Sequence, residues 1–540
     1  MKKITAILLT LLMMASFVAC TNVTEQPDST QTPGTSDVSG NENNEADTTS
    51  EPKKGGQLVI GVNQDFLQPL WYNHRQPKDF LYTNCIMETL LMFDENGDPQ
   101  PYLCESFEAD MDNLTYTIKL KEGILFHDGT ELDAEVCKWN LDIYKERGVL
   151  SSSFLGNVES FEVTGDYEVT IHMSAWDSTL PYGLARAAGF MCSREAYESM
   201  GEAEFEKAPV GTGPFMFDSR EYDVSVTFVK FADYWQGEPL LDSVKFVYYE
   251  SDAVAQAALE VGDIDVFFPE SLDVATYLGE EGYDVIKTKV PAQAVSFGFE
   301  CNNPDSPLYD VKVRQAICHA LDRDAIMAAT YGDYGVVSTQ YALPGSTYYN
   351  DEITNFDYDP ELAKQMLAEA GYPDGFETSI WIYNTATLQV KACQIIAEQL
   401  AAVGIDCEIK ITDLAAYIVG IDGWGDGLFY HAMTLSNGTP SILNANFVQN
   451  LTSGLGVTSF LHPDDLDAVI KEGVATSGDE SVEAFQEAQK LIFEDYCMLK
   501  YFGAAFSCTV RSPKVKDSAI GEVALGVPGA WTMWTAWIDE

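Results

Sequence analysis

The stretch Gln389-Val-Lys-Ala-Cys-Gln-Ile-Ile-Ala-Glu-Gln-Leu-Ala401, passing through Gly404 into Asp406-Cys-Glu-Ile-Lys-Ile411, decides the fold class. The first part reads as a helix and the last as a strand, with a short glycine-containing loop between them. Just upstream, Asp359 to Gly371 reads as another helix. Asp359 is placed to cap the free N–H groups, and Pro360 stands where its missing N–H costs nothing. Ala363, Met366, Leu367 and Ala370 form one apolar stripe, and Gly371 suits the left-handed position past the end. Working outward, strands are expected at Gln57–Val62, Glu88–Phe93, Thr115–Leu120, Tyr167–Met173, Thr227–Lys230 and Val244–Tyr249, with a turn at Asn96-Gly97. Helix, short loop and strand in alternation argue for α/β units.

The chain has 540 residues, enough mass for three or four domains, and its 46% apolar and 12% aromatic content excludes wholesale disorder. Its 84 acidic and 31 basic residues give a net charge of −53. Such a surface repels phosphate backbones and anionic headgroups, so neither nucleic acid nor a basic membrane contact is expected.

Lys2 and Lys3 precede an apolar run from Ile4 to Val18 that is short for a bilayer span and resembles an export signal. It closes on Phe17-Val-Ala-Cys20, which resembles the lipobox of bacterial lipoproteins and makes Cys20 the expected lipidation site. Residues 21–55 hold no aromatic residue and are expected to be a disordered tether. Such a tether could hold the globule on the order of 30 Å from its anchor. The expected location is the extracytoplasmic face of the cell membrane.

Eleven cysteines include Cys20; the others show no C-x-x-C spacing, and the six histidines show no metal-binding spacing. No metal site and no cofactor is expected. Buried free thiols are the simplest reading; export permits disulfides, but their pairing is open.

Five segments then fall in a recognisable order. Pro101–Ala109 runs on to Leu114–Thr130, which contains Phe126-His-Asp-Gly-Thr130. Pro209-Val-Gly-Thr-Gly-Pro-Phe215 is followed by Asp233-Tyr-Trp235. Ala258–Asp265, Asp310–Ile317 with Ala320–Ile326, and Tyr358–Lys364 complete the set. Together they resemble the family 5 solute-binding proteins of ABC transporters, the peptide- and nickel-binding class, from about Gly56 to the C-terminus. The resemblance implies a two-lobed periplasmic-binding-protein-like fold of type II, in its three-domain variant, with the ligand cleft between the lobes. Carried onto this chain, 1–20 is a signal peptide and 21–55 the tether. Lobe I takes 56–94, 206–290 and 511–540, the small domain 95–205, and lobe II 291–510.

Several motifs have structural readings. Phe126–Thr130 is expected to be a tight turn ahead of a helix starting near Asp133, rather than a catalytic His/Asp pair. Gly211-Thr-Gly-Pro214 lacks the glycine spacing of a nucleotide loop and reads as a backbone crossing. Asp94, Asn96, Asp98 and Glu105 mimic a calcium loop, but Pro99 stands where glycine is needed. No nucleophile–base constellation appears, so an enzyme is not expected.

The resemblance implies a lipoprotein receptor that captures a peptide-like solute by hinge closure and passes it to ABC permease and ATPase subunits, acting as a monomer. The alternatives are an oligosaccharide or other solute, or a signalling receptor without transport. Dipeptide receptors of the class anchor the ligand's amino terminus on an aspartate, in a segment whose counterpart here is Tyr430–Pro440. That segment has no aspartate, and Asn437 stands near the family's Trp place. A tightly anchored dipeptide is therefore disfavoured, and so is nickel, for want of a histidine cluster. A longer peptide held by its backbone, or a sugar stacked on rings, fits better. Asp422–Gly427 is the substitute anchor or a surface loop. The expected cleft wall is Asn73, Arg75, Tyr383, Trp424 and Asn437, with Trp71 and Tyr72 readable as wall or core.

Overall fold

The computed structural model describes residues 51–539 except 64–65, 67–68, 75–76, 95–97, 150–153, 290, 292, 385, 414–415, 418–426, 431–432, 435–458 and 519–532. Among the described residues, two seven-stranded mixed sheets and one four-stranded antiparallel sheet carry the architecture.

The first sheet is built on Gln57–Val62, buried at alternate positions and then continuously. It pairs in parallel with Ser243–Tyr248 on one side and Val266–Phe267 on the other. Ser225–Lys230 and Phe215–Glu221 extend one edge, and Cys508–Arg511 and Asp284–Lys287 the other. In the second sheet Phe376–Tyr383 pairs in parallel with Ile405–Thr412 and Leu428–Tyr430. Gln293–Phe299, Leu499–Ala505, Gly335–Val337 and the short Met433–Thr434, which pairs with Gln293–Ala294, complete that sheet antiparallel. The helices that decide the fold class are present, at Pro360–Glu369 and Thr387–Ala401. Asp359 accepts the Leu362 N–H at 2.9 Å, and Gly371 takes φ +97°. The cap and the terminator thus work as the sequence implies.

The third sheet joins Cys104–Asp110, Thr115–Leu120, Glu168–Met173 and Val158–Gly165. The helix Ala134–Arg147 covers it, capped by Asp133, with Cys137, Leu141 and Tyr144 buried at helical spacing. The Asn96-Gly97 turn lies outside the described residues, although the flanking Leu91–Phe93 and Pro99–Pro101 do pair antiparallel. Glu105, the last position of the calcium-like pattern, forms an ion pair with Lys119 on the next strand at 2.8 Å.

Core packing divides the molecule differently from the sheets. One apolar cluster runs continuously from the first sheet (Leu58, Phe246, Val266) through Trp71 and Phe190 into the small sheet (Ile118, Ile171). A second cluster, from Ala294 to Ala505, fills the second sheet and its helices. The small domain therefore shares its core with the first sheet, and the second sheet stands on a core of its own. Two strand-to-strand passages connect them: 288–292, and Phe506-Ser507. The second corrects the expected boundary at 510/511. Cys508–Arg511 already hydrogen-bonds in the first sheet, with Cys508 opposite Lys287, so the return falls three residues earlier.

Candidate functional site

In open α/β sheets, ligands sit beyond the carboxyl ends of the parallel strands. Here both large sheets present such ends. In the first, Asn63 follows directly after Val62, and Glu270 lies three residues after Phe267 and just before Ser271, the cap of the helix Leu272–Glu280. The Asn63 Nδ2 donates to Glu270 Oε1 at 2.6 Å. Glu270 is exposed and carries a negative charge at this end of the sheet.

In the second sheet, Tyr383 and Tyr430 are the last residues of two adjacent strands. Tyr383 packs against Tyr417 at 5.1 Å and Tyr430 at 6.0 Å between ring centroids. The Tyr417 hydroxyl donates to the Tyr430 carbonyl. Gln293 Nε2 donates to the Tyr430 hydroxyl at 2.7 Å, and Gln389 Nε2 to the Tyr331 hydroxyl at 2.8 Å. These bonds lock the aromatic wall before any ligand arrives, so little rotamer freedom is left to lose on binding. Burial, followed by the negative charge of Glu270, pushes the Tyr383 hydroxyl up to about 12. The charge of Glu270, beyond the first sheet, thus bears on the Tyr383 hydroxyl of the second. A hydrogen bond joins the halves elsewhere: Ser178 N–H, beyond the small sheet, donates to the Val474 carbonyl at 3.0 Å.

In the first half, two of the sequence motifs meet in one joint. His127 Nε2 donates to the Gly213 carbonyl at 2.9 Å, while its Nδ1 accepts the Gly211 N–H at 3.4 Å. That pair of bonds requires a neutral ring, and burial pushes the imidazole down to about 4. A Cβ at Gly211 would stand 2.2 Å from the Ile86 carbonyl oxygen, and one at Gly213 2.6 Å from that of Cys85. Only glycine allows this approach. Asp128 accepts from the Thr130 N–H at 3.0 Å, closing the tight turn expected at this motif. The turn and the backbone crossing are thus one joint, with His127 as its clamp.

Alongside, buried Glu88 accepts from the hydroxyls of Tyr102 at 2.7 Å and Tyr234 at 2.6 Å, and from the Trp235 indole at 2.9 Å. Burial raises its carboxyl above the usual range against the pull of these donors and of Thr212. This gives Asp233-Tyr-Trp235 its structural reason.

Residues 98–454 match the family described as bacterial extracellular solute-binding proteins, family 5, middle region. The chain belongs to this family. It is 28% identical over 449 residues to the glutathione-binding protein GsiB of Escherichia coli (strain K12), covering 81% of this chain and 86% of that protein. The fold matches the ABC transporter substrate binding protein CtaP of Listeria monocytogenes with a TM-score of 0.80 at 22% identity, covering 90% of this chain and 100% of the other. It also matches the oligopeptide-binding protein AppA of Bacillus subtilis, in complex with a nonapeptide, with a TM-score of 0.73 at 22% identity, covering 91% and 100%. The chain is thus a two-lobed substrate-binding protein of an ABC importer, extracytoplasmic by family. Among the described residues, no helix is long and apolar enough to cross a membrane.

Of the residues expected to line the family 5 cleft, Tyr383 packs with Tyr417 and Tyr430 at the carboxyl end of its strand. Asn73 ends a short helical turn beside Trp71 and Tyr72. Those two are buried, with Trp71 packed on Trp139 and Tyr197 and the Arg147 guanidinium 4.6 Å from the Tyr72 ring, so they belong to the core. Arg75, Trp424 and Asn437, like Asp426 and Cys20, lie outside the described residues. Asn63, Glu270, Tyr417 and Tyr430, candidates by their place in the structure, were not among the residues expected from sequence. The available signal was positional: each of Asn63, Glu270 and Tyr430 stands at or just beyond the carboxyl end of a parallel strand.

Proposed function

We propose that this protein is a lipid-anchored receptor that captures a peptide-like solute bearing a free amino group, by closure of two lobes, and delivers it to its permease and ATPase. Lobe I comprises 56–94, 206–290 and 508–540, the small domain 95–205, and lobe II 291–507. Cys20 carries the anchor and 21–55 the tether. The observation that carries the ligand reading is the exposed Glu270 carboxylate at the strand ends of one sheet, whose charge bears on the Tyr383 hydroxyl at a strand end of the other. A carboxylate beside an aromatic face suits an ammonium, which is costly to desolvate unless it meets a paired charge. The names of the glutathione-binding and nonapeptide-bound relatives agree with a peptide ligand. Asn73, Arg75, Trp424 and Asn437 remain proposed wall residues.

A thermal-shift screen of di- to nonapeptides and of oligosaccharides tests this reading. Ligand at about a hundred times its dissociation constant adds about 2.7 kcal/mol of stability, so a true ligand raises the melting temperature. Stabilisation by peptides supports the proposal; stabilisation by oligosaccharides alone overturns it. The anchor is tested separately with Cys20→Ser. Release to the medium, or accumulation of unprocessed precursor, is expected. Unchanged membrane retention without lipid by mass spectrometry contradicts the anchor.

A further inference from the structure

Cys318 lies on the helix Val311–Ala320, and Cys497 lies in the turn leading into the strand Leu499–Ala505. Both are fully buried, and their Sγ atoms are 3.5 Å apart across 179 residues of sequence. A disulfide has S–S near 2.05 Å, so closure asks for a shift of about 1.5 Å.

The surroundings hold the two sulfurs to this approach. Arg314 stands one helical turn before Cys318. Its Nε donates to the Cys497 carbonyl at 3.0 Å and its Nη2 to the Tyr496 carbonyl at 2.6 Å. Its Nη1 donates to the Leu308 and Tyr309 carbonyls at 2.6 and 2.9 Å. One guanidinium therefore ties the helix bearing Cys318 to the turn bearing Cys497. Cys497 is also held at φ +43°, a conformation L residues rarely adopt, which fixes the direction of its side chain.

The charges around the pair are unequal. Burial raises both thiols. For Cys318 the Cys497 hydrogen bond and the nearby Lys500 and Arg323 charges outweigh burial and hold it below its ordinary value. Cys497 stays well above. Lys500, itself buried, donates to the Asn355 and Phe356 carbonyls at 2.8 Å each, so its charge is fixed in place near Cys318.

We propose that Cys318 and Cys497 are a redox pair that closes to an internal disulfide of the second lobe when the reduced chain meets a low-molecular-weight disulfide. The Cys318 thiolate attacks one sulfur of the oxidant; the protein–oxidant S–S bond forms as the oxidant's own S–S bond breaks and releases one thiolate. Cys497 then attacks the Cys318 sulfur, releasing the second. The two protein thiol protons pass to the two released thiolates. Two protein thiols are oxidised by two electrons, and one small disulfide is reduced to two thiols. Because both cysteines are buried, the reaction runs during folding or through local opening, and the finished bond is shielded from reductant. Closing so long a loop restricts the unfolded chain strongly.

The test uses the full chain, reduced and then held in a buffer of oxidised and reduced glutathione, both as native protein and during refolding from denaturant. Denaturing alkylation and peptide mapping follow. A linked peptide joining Cys318 to Cys497 in either arm, with the melting temperature raised by several degrees, is the expected result. Replacing Cys301, another fully buried free cysteine of the second lobe, with Ala should leave that link intact, and Cys318→Ala should abolish it while circular dichroism confirms the fold. Full alkylation of both cysteines in both arms overturns the proposal, as does a Cys497 link to Cys301 in place of Cys318.

Discussion

Glu88 and Glu270 are the same chemical group in the same half of the molecule, in opposite surroundings. Glu88 is 4% exposed and is surrounded by donors from Tyr102, Tyr234 and Trp235. Glu270 is exposed at a strand end, beside Asn63, with its charge bearing on a tyrosine of the other lobe. The difference separates scaffold from site. A carboxylate enclosed by the protein's own hydroxyls and indole works as an internal joint. One presented beyond the carboxyl end of a parallel strand is the one proposed above to meet a solute. The same contrast holds between the two cores. The small domain is fused to the first sheet by one continuous cluster, whereas the second lobe has a cluster of its own and meets the rest through two chain passages and contacts such as Ser178 with Val474.

The comparison breaks first at Glu88. Glu88→Ala leaves three buried donors without their acceptor and should cost about 3 kcal/mol or more. Denaturant titration measures the loss, and Glu88→Gln, which keeps one acceptor oxygen, should lose less. A near-neutral Glu88→Ala would show that the joint is not structural.

His127 follows closely, through pH. Its folded value of about 4 lies below the ordinary unfolded value near 6.5. Its contribution is therefore fully present above about pH 6.5 and is lost as the pH falls toward 4. The loss should reach about 3 kcal/mol. Stability measured between pH 4 and 7 should fall more steeply for the native chain than for His127→Gln; parallel curves would contradict the clamp. Gly211→Ala should cost about 1–3 kcal/mol, because its Cβ meets a fixed carbonyl. An unchanged melting temperature would mean that the crossing yields.

Much of the scaffold was legible before the structure. Asp359, Pro360 and Gly371 mark the ends of one helix through local chemistry alone, and Gln57–Val62 reads as a strand from its apolar run. The Phe126–Thr130 turn was legible too, because Asp128 and Gly129 act within a few residues. Its docking on Gly211–Gly213 was not, because His127 reaches its partners across 84 and 86 residues. The return passage was misplaced by three residues, since a four-residue strand bears no sign of which sheet it joins. The cleft was the least legible part. Trp71 and Tyr72 look like wall residues in sequence, and only packing against Trp139 and Tyr197 assigns them to the core. Glu270 is one of 84 acidic residues, and only its place at a strand end distinguishes it.

Glu270→Gln should have the smallest effect on stability, within about 0.5 kcal/mol, as an exposed substitution does. Its effect on binding is the direct test of the central claim, that a solute's amino group is held where Glu270 meets Tyr383. Peptides found by the thermal screen would be titrated calorimetrically into the native protein and into Glu270→Gln, each peptide with a free and with an acetylated amino terminus. The account predicts that either change weakens binding about tenfold to a hundredfold, the scale of one lost charge-assisted hydrogen bond. Applied together, the two changes should cost little more than one alone. Equal affinities across all four combinations would contradict it.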